Sequence, residues 1–293
     1  MLIVEKLSNQ QKMTETEINI AQYLLSIGHD IKNKSTRSIA KELFISPSTV
    51  SRFCQLIGFS GFSEFQQHYL EEIRYLESKF QSIDPNQPFN EIDKNKRLAS
   101  KVGALYKETI EDTVELLHHD SLQKAERMLH TARELYVGSA GDTFDLANVF
   151  KNRCLKIGKK VTVEIRNDNL FYQACYAPND SCFILISYSG ETAMILKVAE
   201  KLRERQIPTI VITSYGDNQL SQLFETVLYI STHEKLVENL GNFSSLLSVH
   251  FILDVLYASI FNTCRQENYE NRIRAAYEFE QARKSKNPLI RDS

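Results

Sequence analysis

Two spacings of apolar residues divide the chain. Between about residues 15 and 77, apolar positions recur at helical spacing, as on one buried face of each of several helices. Beyond residue 134, short runs of consecutive apolar residues alternate with helical stretches. The first pattern predicts a small all-α domain. The second predicts parallel βαβ units that form a doubly wound sheet, so we expect an α/β protein overall.

Five short apolar runs predict the strands of this sheet. They are Leu135–Val137, Val161–Val163, Cys182–Ile186, Thr209–Ile212 and Val227–Tyr229. Helical stretches lie between most of these runs, and two amphipathic helices are predicted before the first of them, at about 94–117 and 121–131. The C-terminal half is therefore predicted to hold a five-stranded parallel sheet.

Residues 35–62 predict two short helices joined by a tight connection. Ser35 or Thr36 can cap the first helix, and Ser46 followed by Pro47 can begin the second. Two sets of apolar residues fall on the expected buried faces: Ile39, Ala40, Leu43 and Phe44 on the first helix, and Val50, Phe53 and Cys54 on the second. This arrangement is typical of a helix-turn-helix DNA reader, and an αα-hairpin without nucleic acid is the alternative.

The exposed side of the second helix predicts the DNA contacts. Small hydroxyl side chains at a helix N-terminus can approach phosphates and base edges, and arginine can pair with guanine or phosphate. We expect contacts from Arg37, Ser46, Ser48, Thr49, Ser51 and Arg52. Residues 1–80 hold nine Lys and Arg against nine Asp and Glu, yet within residues 32–52 five basic side chains face only Glu42. Positive charge is thus concentrated at the predicted reading surface.

Two further helices complete the predicted N-terminal domain. Thr14 and Glu17 have the spacing of a capping box, which places a helix at about 15–27, and another is expected at about 63–77. The segment resembles the N-terminal domain of the RpiR family of bacterial transcriptional regulators. The matching stretches are Ser38–Leu43, Ser46–Phe53, Leu56–Phe59 and Gly61–Phe62. The resemblance implies a double-stranded DNA operator as partner.

Composition limits the other classes of protein. At 293 residues the chain is long enough for two domains, and the polar segment 81–93 with two prolines is predicted to link them. The most apolar stretch, 243–261, is interrupted by Ser, His and Asp, so no membrane span is expected. Five scattered cysteines and an N-terminus without a leader pattern favour the cytoplasm. No metal cluster or cofactor motif is recognised.

Two loops carry the chemistry predicted for the C-terminal half. Gly138–Thr143 follows the first strand, and Ser187–Thr192 follows the third; each leads into a predicted helix. Ligands of such sheets bind beyond the carboxyl ends of the strands. Exposed N–H groups at a helix N-terminus favour an anion, above all a phosphate, and hydroxyl groups add donors without charge. The pair of loops therefore predicts a phosphate site.

Here the chain resembles a SIS domain, the sugar isomerase fold, over roughly 108–262. Ser187, Ser189, Gly190 and Thr192 match the family's S-x-S-G-x-T phosphate motif. The first loop matches a second family pattern through Gly141, Ala147 and Gly158, but Ser139 stands in place of a glycine and Thr143 in place of a serine. The resemblance implies a sugar phosphate bound by Ser139, Gly141, Thr143, Ser187, Ser189, Gly190, Thr192 and Glu238.

Catalysis is the remaining question. A sugar isomerase needs an acid or base at the sugar carbons, and the candidates are His233, Glu234, Glu238 and His250. Similar SIS enzymes place a glutamate just before the last long helix. Attachment to a DNA reader favours sensing over turnover, so no catalytic residue is assigned. A sugar-phosphate isomerase with an accessory helical domain is the alternative.

The predicted organisation is a helix-turn-helix domain at 1–77, a linker with the start of a connecting helix at 78–107, a SIS domain at 108–262 and a C-terminal helical tail at 263–293. A sugar phosphate effector is expected to change the spacing of two DNA readers in a homodimer or homotetramer. The apolar helix predicted at about 240–262 is the expected contact between SIS domains.

Overall fold

The computed structural model describes residues 2–10, 13–78, 83–164, 166–279 and 289. The chain divides into two compact units, Met1–Ser82 and Ile83–Ser293. The first unit is helical, and the second contains the sheet. The predicted change from an all-α to an α/β architecture is therefore confirmed.

Helices alone form the regular structure described in the first unit. They are α1 (Ile3–Ser8), α2 (Glu15–Ile27), a 3₁₀ turn (Gly28–Asn33), α3 (Thr36–Glu42), α4 (Pro47–Leu56) and α5 (Phe62–Ser78). The predicted capping box is present at α2, because Thr14 accepts the Glu17 N–H while the Glu17 carboxylate accepts the Thr14 N–H. Ser35 caps α3 and Ser46 caps α4, whose first residue is Pro47. The short helix α1 was not predicted.

The core of the first unit joins all five α-helices. Phe53 and Phe65 are almost completely buried, together with residues from α1, α2 and α3. Tyr69 stacks on Phe65 with ring centroids 5.3 Å apart, and its hydroxyl donates to the carbonyl of Leu24 at 2.9 Å. This packing holds α4 against the rest of the unit and leaves its other face to solvent.

One residue of the predicted core lies outside it. Phe44 was expected on the buried face of α3, but its side chain is 96% exposed and its φ is +54°. The reason is that α3 ends at Glu42, so the backbone turns before Phe44 and the helical spacing no longer applies. The prediction for Phe44 is wrong, whereas those for Ile39 and Ala40 are confirmed.

The second unit has five parallel strands and eight helices among its described residues. The strands are β1 (Glu134–Ser139), β2 (Val161–Val163), β3 (Ser181–Ser187), β4 (Thr209–Ser214) and β5 (Val227–Ile230), in the order β2-β1-β3-β4-β5. The helices are α6 (Lys96–Leu116), α7 (His119–Thr131), α8 (Thr143–Leu155), α9 (Asn167–Tyr176), α10 (Ala193–Glu204), α11 (Gln219–Leu223), α12 (Phe243–Thr263) and α13 (Arg265–Phe279). All five predicted strands are confirmed.

Alternating side chains of the strands feed two cores, one on each face of the sheet. On one face, Val137 and Ile184 pack against α7, α8 and α12. On the other, Tyr136 and Phe183 stack at 4.6 Å and pack against α9, α10 and α11. Helices on both faces make this a doubly wound fold, as predicted.

Helix α12 is apolar enough to be mistaken for a membrane span. Among the described helices, it is the one that has the length and hydropathy to cross a membrane. It packs against α6, α8 and β5, and its serines Ser244 and Ser248 are completely buried. Their hydroxyls are hydrogen-bonded to Thr109 and Thr113 of α6 at 3.0 and 2.9 Å. The apolar surface of α12 therefore serves the core of the second unit.

Candidate functional site

The two predicted loops meet at the point where the strand order reverses. β1 and β3 are neighbours, with β2 on the outer side of β1 and β4 on the outer side of β3. The chain leaves β1 and β3 at the same edge of the sheet because the strands are parallel. At this edge α8 begins after the first loop and α10 after the second. This is the crevice where ligands of doubly wound folds bind.

The loop after β3 is closed by its own hydrogen bonds. The hydroxyls of Ser187 and Thr192 lie 2.9 Å apart, and Ser187 Oγ also accepts the N–H of Gly190 at 3.2 Å. Ser189 Oγ accepts the N–H of Glu191 at 3.1 Å. Thr192 is the N-cap residue of α10. The hydroxyls are thus held at the positive end of a helix, where an anion is stabilised.

Gly190 is fixed by a neighbour from another part of the chain. Its φ is +66°, and a Cβ atom at this position would lie 1.9 Å from Oδ1 of Asn218. The Asn218 side chain cannot easily withdraw, because Oδ1 accepts the Ser221 N–H at 2.9 Å and Nδ2 donates to the Ser214 carbonyl at 3.2 Å. The glycine is therefore required by both backbone conformation and space.

The loop after β1 is less tightly bonded. Ser139, the last residue of β1, is 5% exposed, and its hydroxyl has no hydrogen-bond partner among the described residues. The Thr143 hydroxyl donates to the carbonyl of Ala140 at 2.8 Å. Gly141 has a φ of +62°, and the space next to its Cα is open. This loop therefore offers a buried hydroxyl whose bonding capacity is unused.

Glu234 lies between the second loop and the start of α12. Its side chain is buried, and its carboxylate accepts the N–H groups of Ser244 and Ser245 at 3.3 and 2.9 Å and the Ser245 hydroxyl at 2.6 Å. A carboxylate there satisfies the orphan donors of the helix and complements its dipole. The hydroxyl of Tyr188, a residue of the second loop, donates to the backbone carbonyl of Glu234. Burial raises the pKa of Tyr188, which keeps this donor protonated.

The structure separates the two glutamates named from the sequence. Glu238 is exposed and forms an ion pair with Lys235 at 2.6 Å, which lowers the pKa of its carboxyl group. Glu234 is the one joined to the second loop. The Ser244–Ser245 pair at the start of α12 is the sequence feature that could have pointed to Glu234, because these serines donate hydrogen bonds to its carboxylate.

Both histidine candidates face carboxylates. His233 Nε2 lies 3.8 Å from Oδ2 of Asp112, a buried residue of α6, and His250 Nε2 lies 3.7 Å from Oδ1 of Asp254 on the same helix. Each histidine thus has a carboxylate close to its Nε2 atom. Neither contact is made with a residue of the two loops.

The predicted DNA-contacting residues are exposed or partly exposed, and all of them except Arg37 of α3 lie at or near the start of α4. Ser46 Oγ accepts the Thr49 N–H at 3.2 Å and lies 2.7 Å from Ser48 Oγ. Arg37 and Arg52 are exposed, and no described carboxylate forms an ion pair with either. Ser51 is partly buried, and its hydroxyl donates weakly to a backbone carbonyl one turn earlier at 3.4 Å.

The single acidic residue near this surface is already neutralised. Lys34 Nζ lies 2.6 Å from Oε1 of Glu42, and the Tyr23 hydroxyl donates to the other carboxylate oxygen. The hydrogen bond from Lys34 is the main cause of the lowered pKa of Glu42. The exposed arginines and Lys41 are thus left to set the local charge.

Family models match both units of the chain. The model for a helix-turn-helix domain of the rpiR family covers residues 1–74, and the model for a SIS domain covers residues 128–259. The chain is an RpiR-type helix-turn-helix regulator with a SIS domain. Both resemblances seen in the sequence are confirmed, and the order of the two domains is the predicted one.

Curated relatives of this RpiR-type chain are named transcriptional regulators, and the similarity to them covers most of both chains. An HTH-type transcriptional regulator of Clostridium perfringens is 26% identical over 94% of this chain and 97% of its own. One from Haemophilus influenzae is 26% identical over 85% of both chains. The likeness therefore includes the reader and the SIS domain together.

Solved structures share the fold of this RpiR-type chain. The Vibrio vulnificus NanR protein complexed with ManNAc-6P has a TM-score of 0.61 at 20% identity and covers 96% of this chain and 99% of its own. The sugar isomerase domain of an RpiR transcription factor from Sphaerobacter thermophilus has a TM-score of 0.55 at 15% identity, covering 62% and 99%. A protein of Escherichia coli CFT073 has a TM-score of 0.51 at 16% identity, covering 64% and 100%.

Proposed function

We propose that the SIS domain of this regulator binds a phosphorylated sugar across the loops Gly138–Thr143 and Ser187–Thr192, and that binding alters the grip of the helix-turn-helix on DNA. The observation that carries the proposal is the meeting of two hydroxyl-bearing loops and two helix N-termini at one edge of the sheet. ManNAc-6P, the ligand named for the Vibrio vulnificus neighbour in fold, supports the ligand class.

Seven of the eight predicted residues have a role in this proposal; Glu238, which is paired with Lys235 on the surface, has none. The hydroxyls of Ser187, Ser189 and Thr192 would meet the phosphate at the start of α10, where the loop is already ordered. Ser139 and Thr143 would act from the other side, with Ser139 donating its unused hydroxyl proton. Gly190 and Gly141 supply the left-handed turns, and the open space beside Gly141 leaves room for an anion to approach the backbone.

The proposed role is sensing without turnover. Isomerisation needs an acid or base that is free to exchange a proton with the sugar carbons. The Glu234 carboxylate instead accepts three hydrogen bonds at the start of α12, and Glu238 is paired on the surface. This arrangement favours a structural role for Glu234. The alternative, a sugar-phosphate isomerase with an accessory helical domain, requires Glu234 to leave these donors.

The proposed response is a shift between two arrangements of a homodimer in the cytoplasm. Helix-turn-helix dimers read half-sites spaced by about 34–36 Å, so a small rotation between subunits weakens the fit. The sugar phosphate must bind the two arrangements with different affinity, since equal binding shifts nothing. The partly exposed apolar residues of α12, among them Val255, Tyr257 and Phe261, are the proposed contact between subunits.

DNA binding is tested with a duplex from the promoter of the neighbouring genes. Replacing Arg52 by Ala should weaken binding about tenfold or more, as expected for one lost guanine or phosphate contact. If Arg52 contacts phosphate, the slope of affinity against salt should fall by about one. Arg74→Ala, which removes an exposed arginine of α5, is the control. Equal affinities of the two variants would contradict the assignment of Arg52.

Sugar binding is tested by calorimetry with ManNAc-6P, fructose 6-phosphate, glucosamine 6-phosphate and inorganic phosphate. The double variant Ser187→Ala, Ser189→Ala should lose the response to the binding sugar and keep ligand-free DNA binding. A variant that still responds normally would contradict the proposed site. An isomerase assay with the same sugars tests the alternative. Turnover by the wild type that is abolished in Glu234→Gln would support the isomerase.

A further inference from the structure

A single asparagine ties the segment before α6 to the segment after β5. Asn86 Nδ2 donates to the carbonyl of His233 at 3.1 Å, and the N–H of Lys235 donates to Asn86 Oδ1 at 2.7 Å. The N–H of Leu240 donates to the Asn86 carbonyl at 3.2 Å. We call these three hydrogen bonds the linker clasp. They join residues 147 to 154 positions apart in the chain, all within the second unit.

The residues around Asn86 are packed although the sequence predicts a polar linker. Pro85 and Pro88 are both buried. The ring of Phe89 meets that of Phe243, the first residue of α12, edge to face at a centroid distance of 6.1 Å. The described part of the predicted linker therefore lies against the start of α12.

A second anchor holds the end of this segment next to α6. The side chain of Asp93 is completely buried and accepts the N–H of Asn90 at 3.0 Å. Lys101 Nζ and Arg97 Nε lie 2.5 and 2.8 Å from its two oxygens, and the hydrogen bond from Lys101 is the main cause of its lowered pKa. The segment is thus fixed at Asn86 and at Asp93.

The linker clasp and the loop Ser187–Thr192 form hydrogen bonds with the same stretch of backbone. Asn86 bonds the main chain of His233 and Lys235, the two residues on either side of Glu234. Tyr188, within Ser187–Thr192, bonds the carbonyl of Glu234 itself. The backbone of residues 233–235 is therefore hydrogen-bonded to the second loop through Tyr188 and to the predicted linker through Asn86. The peptide group between Glu234 and Lys235 thus bonds the Tyr188 hydroxyl through its carbonyl and Asn86 through its N–H.

We propose that Asn86 is a positioning residue that carries the state of the sugar-phosphate loop to the segment leading to the DNA reader. The inference rests on the proposed function for its input, but the clasp itself does not require a ligand. Hydrogen bonds that exchange with water are individually weak in net terms, so a bound ligand can make or break them. The ligand shifts the equilibrium between the two states only as far as it binds one of them more tightly than the other.

Hydrogen exchange in the ligand-free full chain tests the clasp. Asn86→Ala should speed exchange of the Lys235 amide about tenfold or more, since its acceptor is removed. The matched control is Asn90→Ala in the same segment, because Asn90 is exposed and its part in the anchor is made by its backbone N–H. Equal exchange of Lys235 in the wild type and Asn86→Ala would overturn the clasp.

The DNA response tests the coupling. The ratio of promoter affinities with and without ManNAc-6P, fructose 6-phosphate or glucosamine 6-phosphate is measured for the wild type and both variants. Asn86→Ala should bring the ratio close to one while the sugar still raises the melting temperature; Asn90→Ala should keep the wild-type ratio. A purely structural role would change stability without this selective loss.

Two contrary outcomes are distinguishable. A wild-type ratio preserved in Asn86→Ala would overturn the coupling while leaving the proposed function intact. A wild-type protein that responds to none of the sugars would contradict the proposed function and remove the coupling with it. In that case the Lys235 exchange still decides whether the clasp exists.

Discussion

The loops after β1 and β3 occupy equivalent places in the fold but differ in how much of their bonding is complete. In the second, Ser187, Thr192 and Gly190 are joined by hydrogen bonds, and Asn218 leaves no room beside the glycine. In the first, the Ser139 hydroxyl is buried without a described partner and the space beside Gly141 is open.

This difference indicates two ways of preparing a binding site. A loop whose hydroxyls are already oriented loses little conformational entropy when an anion binds, because that entropy was lost when the protein folded. A buried hydroxyl without a partner is a small penalty in the free protein that a ligand can remove. The second loop is expected to supply the rigid part of the site, and the first to supply the part that ligand binding completes.

The largest effect is expected at Gly190. Replacing it by Ala adds a Cβ 1.9 Å from Asn218 Oδ1 and imposes a left-handed φ on an L-residue. We expect a loss of roughly 2–4 kcal/mol in the free energy of unfolding of the SIS unit, together with loss of sugar-phosphate binding. Denaturant unfolding and calorimetry measure the two effects. A fully stable variant would show that the loop is not locked as described.

The double variant Gly190→Ala, Asn218→Ala sharpens this result. Removing the Asn218 side chain relieves the overlap but also removes the cap of α11. If overlap dominates, the double variant should be no less stable than Gly190→Ala alone. Simple addition of the two losses would instead point to backbone strain.

Ser139 should show the opposite behaviour, with an effect on binding and almost none on folding. Ser139→Ala removes a buried hydroxyl that has no described hydrogen-bond partner, so the free protein should lose no stability. Affinity for the sugar phosphate should fall about tenfold, because one hydrogen bond to a charged group is lost. Thermal melts and calorimetry are the measurements.

A matched control lies at the other end of the sheet. Ser181 at the start of β3 is also buried, and its hydroxyl has no described hydrogen-bond partner. Ser181→Ala should therefore resemble Ser139→Ala in stability but leave sugar affinity unchanged. If both variants bound the sugar like the wild type, Ser139 would not belong to the site.

The smaller of the two glycine effects is expected at Gly141. Its φ of +62° resembles that of Gly190, but a Cβ there would meet nothing within 4 Å. Gly141→Ala should cost about 1 kcal/mol of stability through backbone conformation alone. Its difference from Gly190→Ala measures the overlap with Asn218. A loss as large as that of Gly190→Ala would contradict the comparison of the two loops.

Local patterns in the sequence were enough to predict the strands that bear these loops and the start of the helix proposed to read DNA. The strands follow from runs such as Cys182–Ile186, because a strand buried on both faces must be apolar at every position. The start of α4 follows from Ser46, whose hydroxyl caps the helix, and from Pro47, whose fixed φ suits the first helical position. Such signals act over a few residues and survive without knowledge of the fold.

The wrong prediction lies where the backbone departs from a regular spacing. Phe44 was placed in the core by a helical period that ends at Glu42. Residues 81–93 are predicted to be a linker because they are polar and contain prolines; in the described part, 83–93, Pro85, Pro88 and Asp93 are buried. Their burial depends on partners near residue 240 and on α6, and no local pattern can reveal these partners.

From its sequence alone, this protein could be recognised as a helix-turn-helix reader followed by a doubly wound SIS domain with two loops that are predicted to bind an anion. Hydrophobic periodicity, caps and glycine-bearing turns are short-range properties, so they are legible in the order of residues. Only the tertiary structure distinguished Glu234 from Glu238, showed that Asn218 locks Gly190, and brought Asn86 to the backbone beside Tyr188. Those contacts join distant positions, and packing of whole elements decides them.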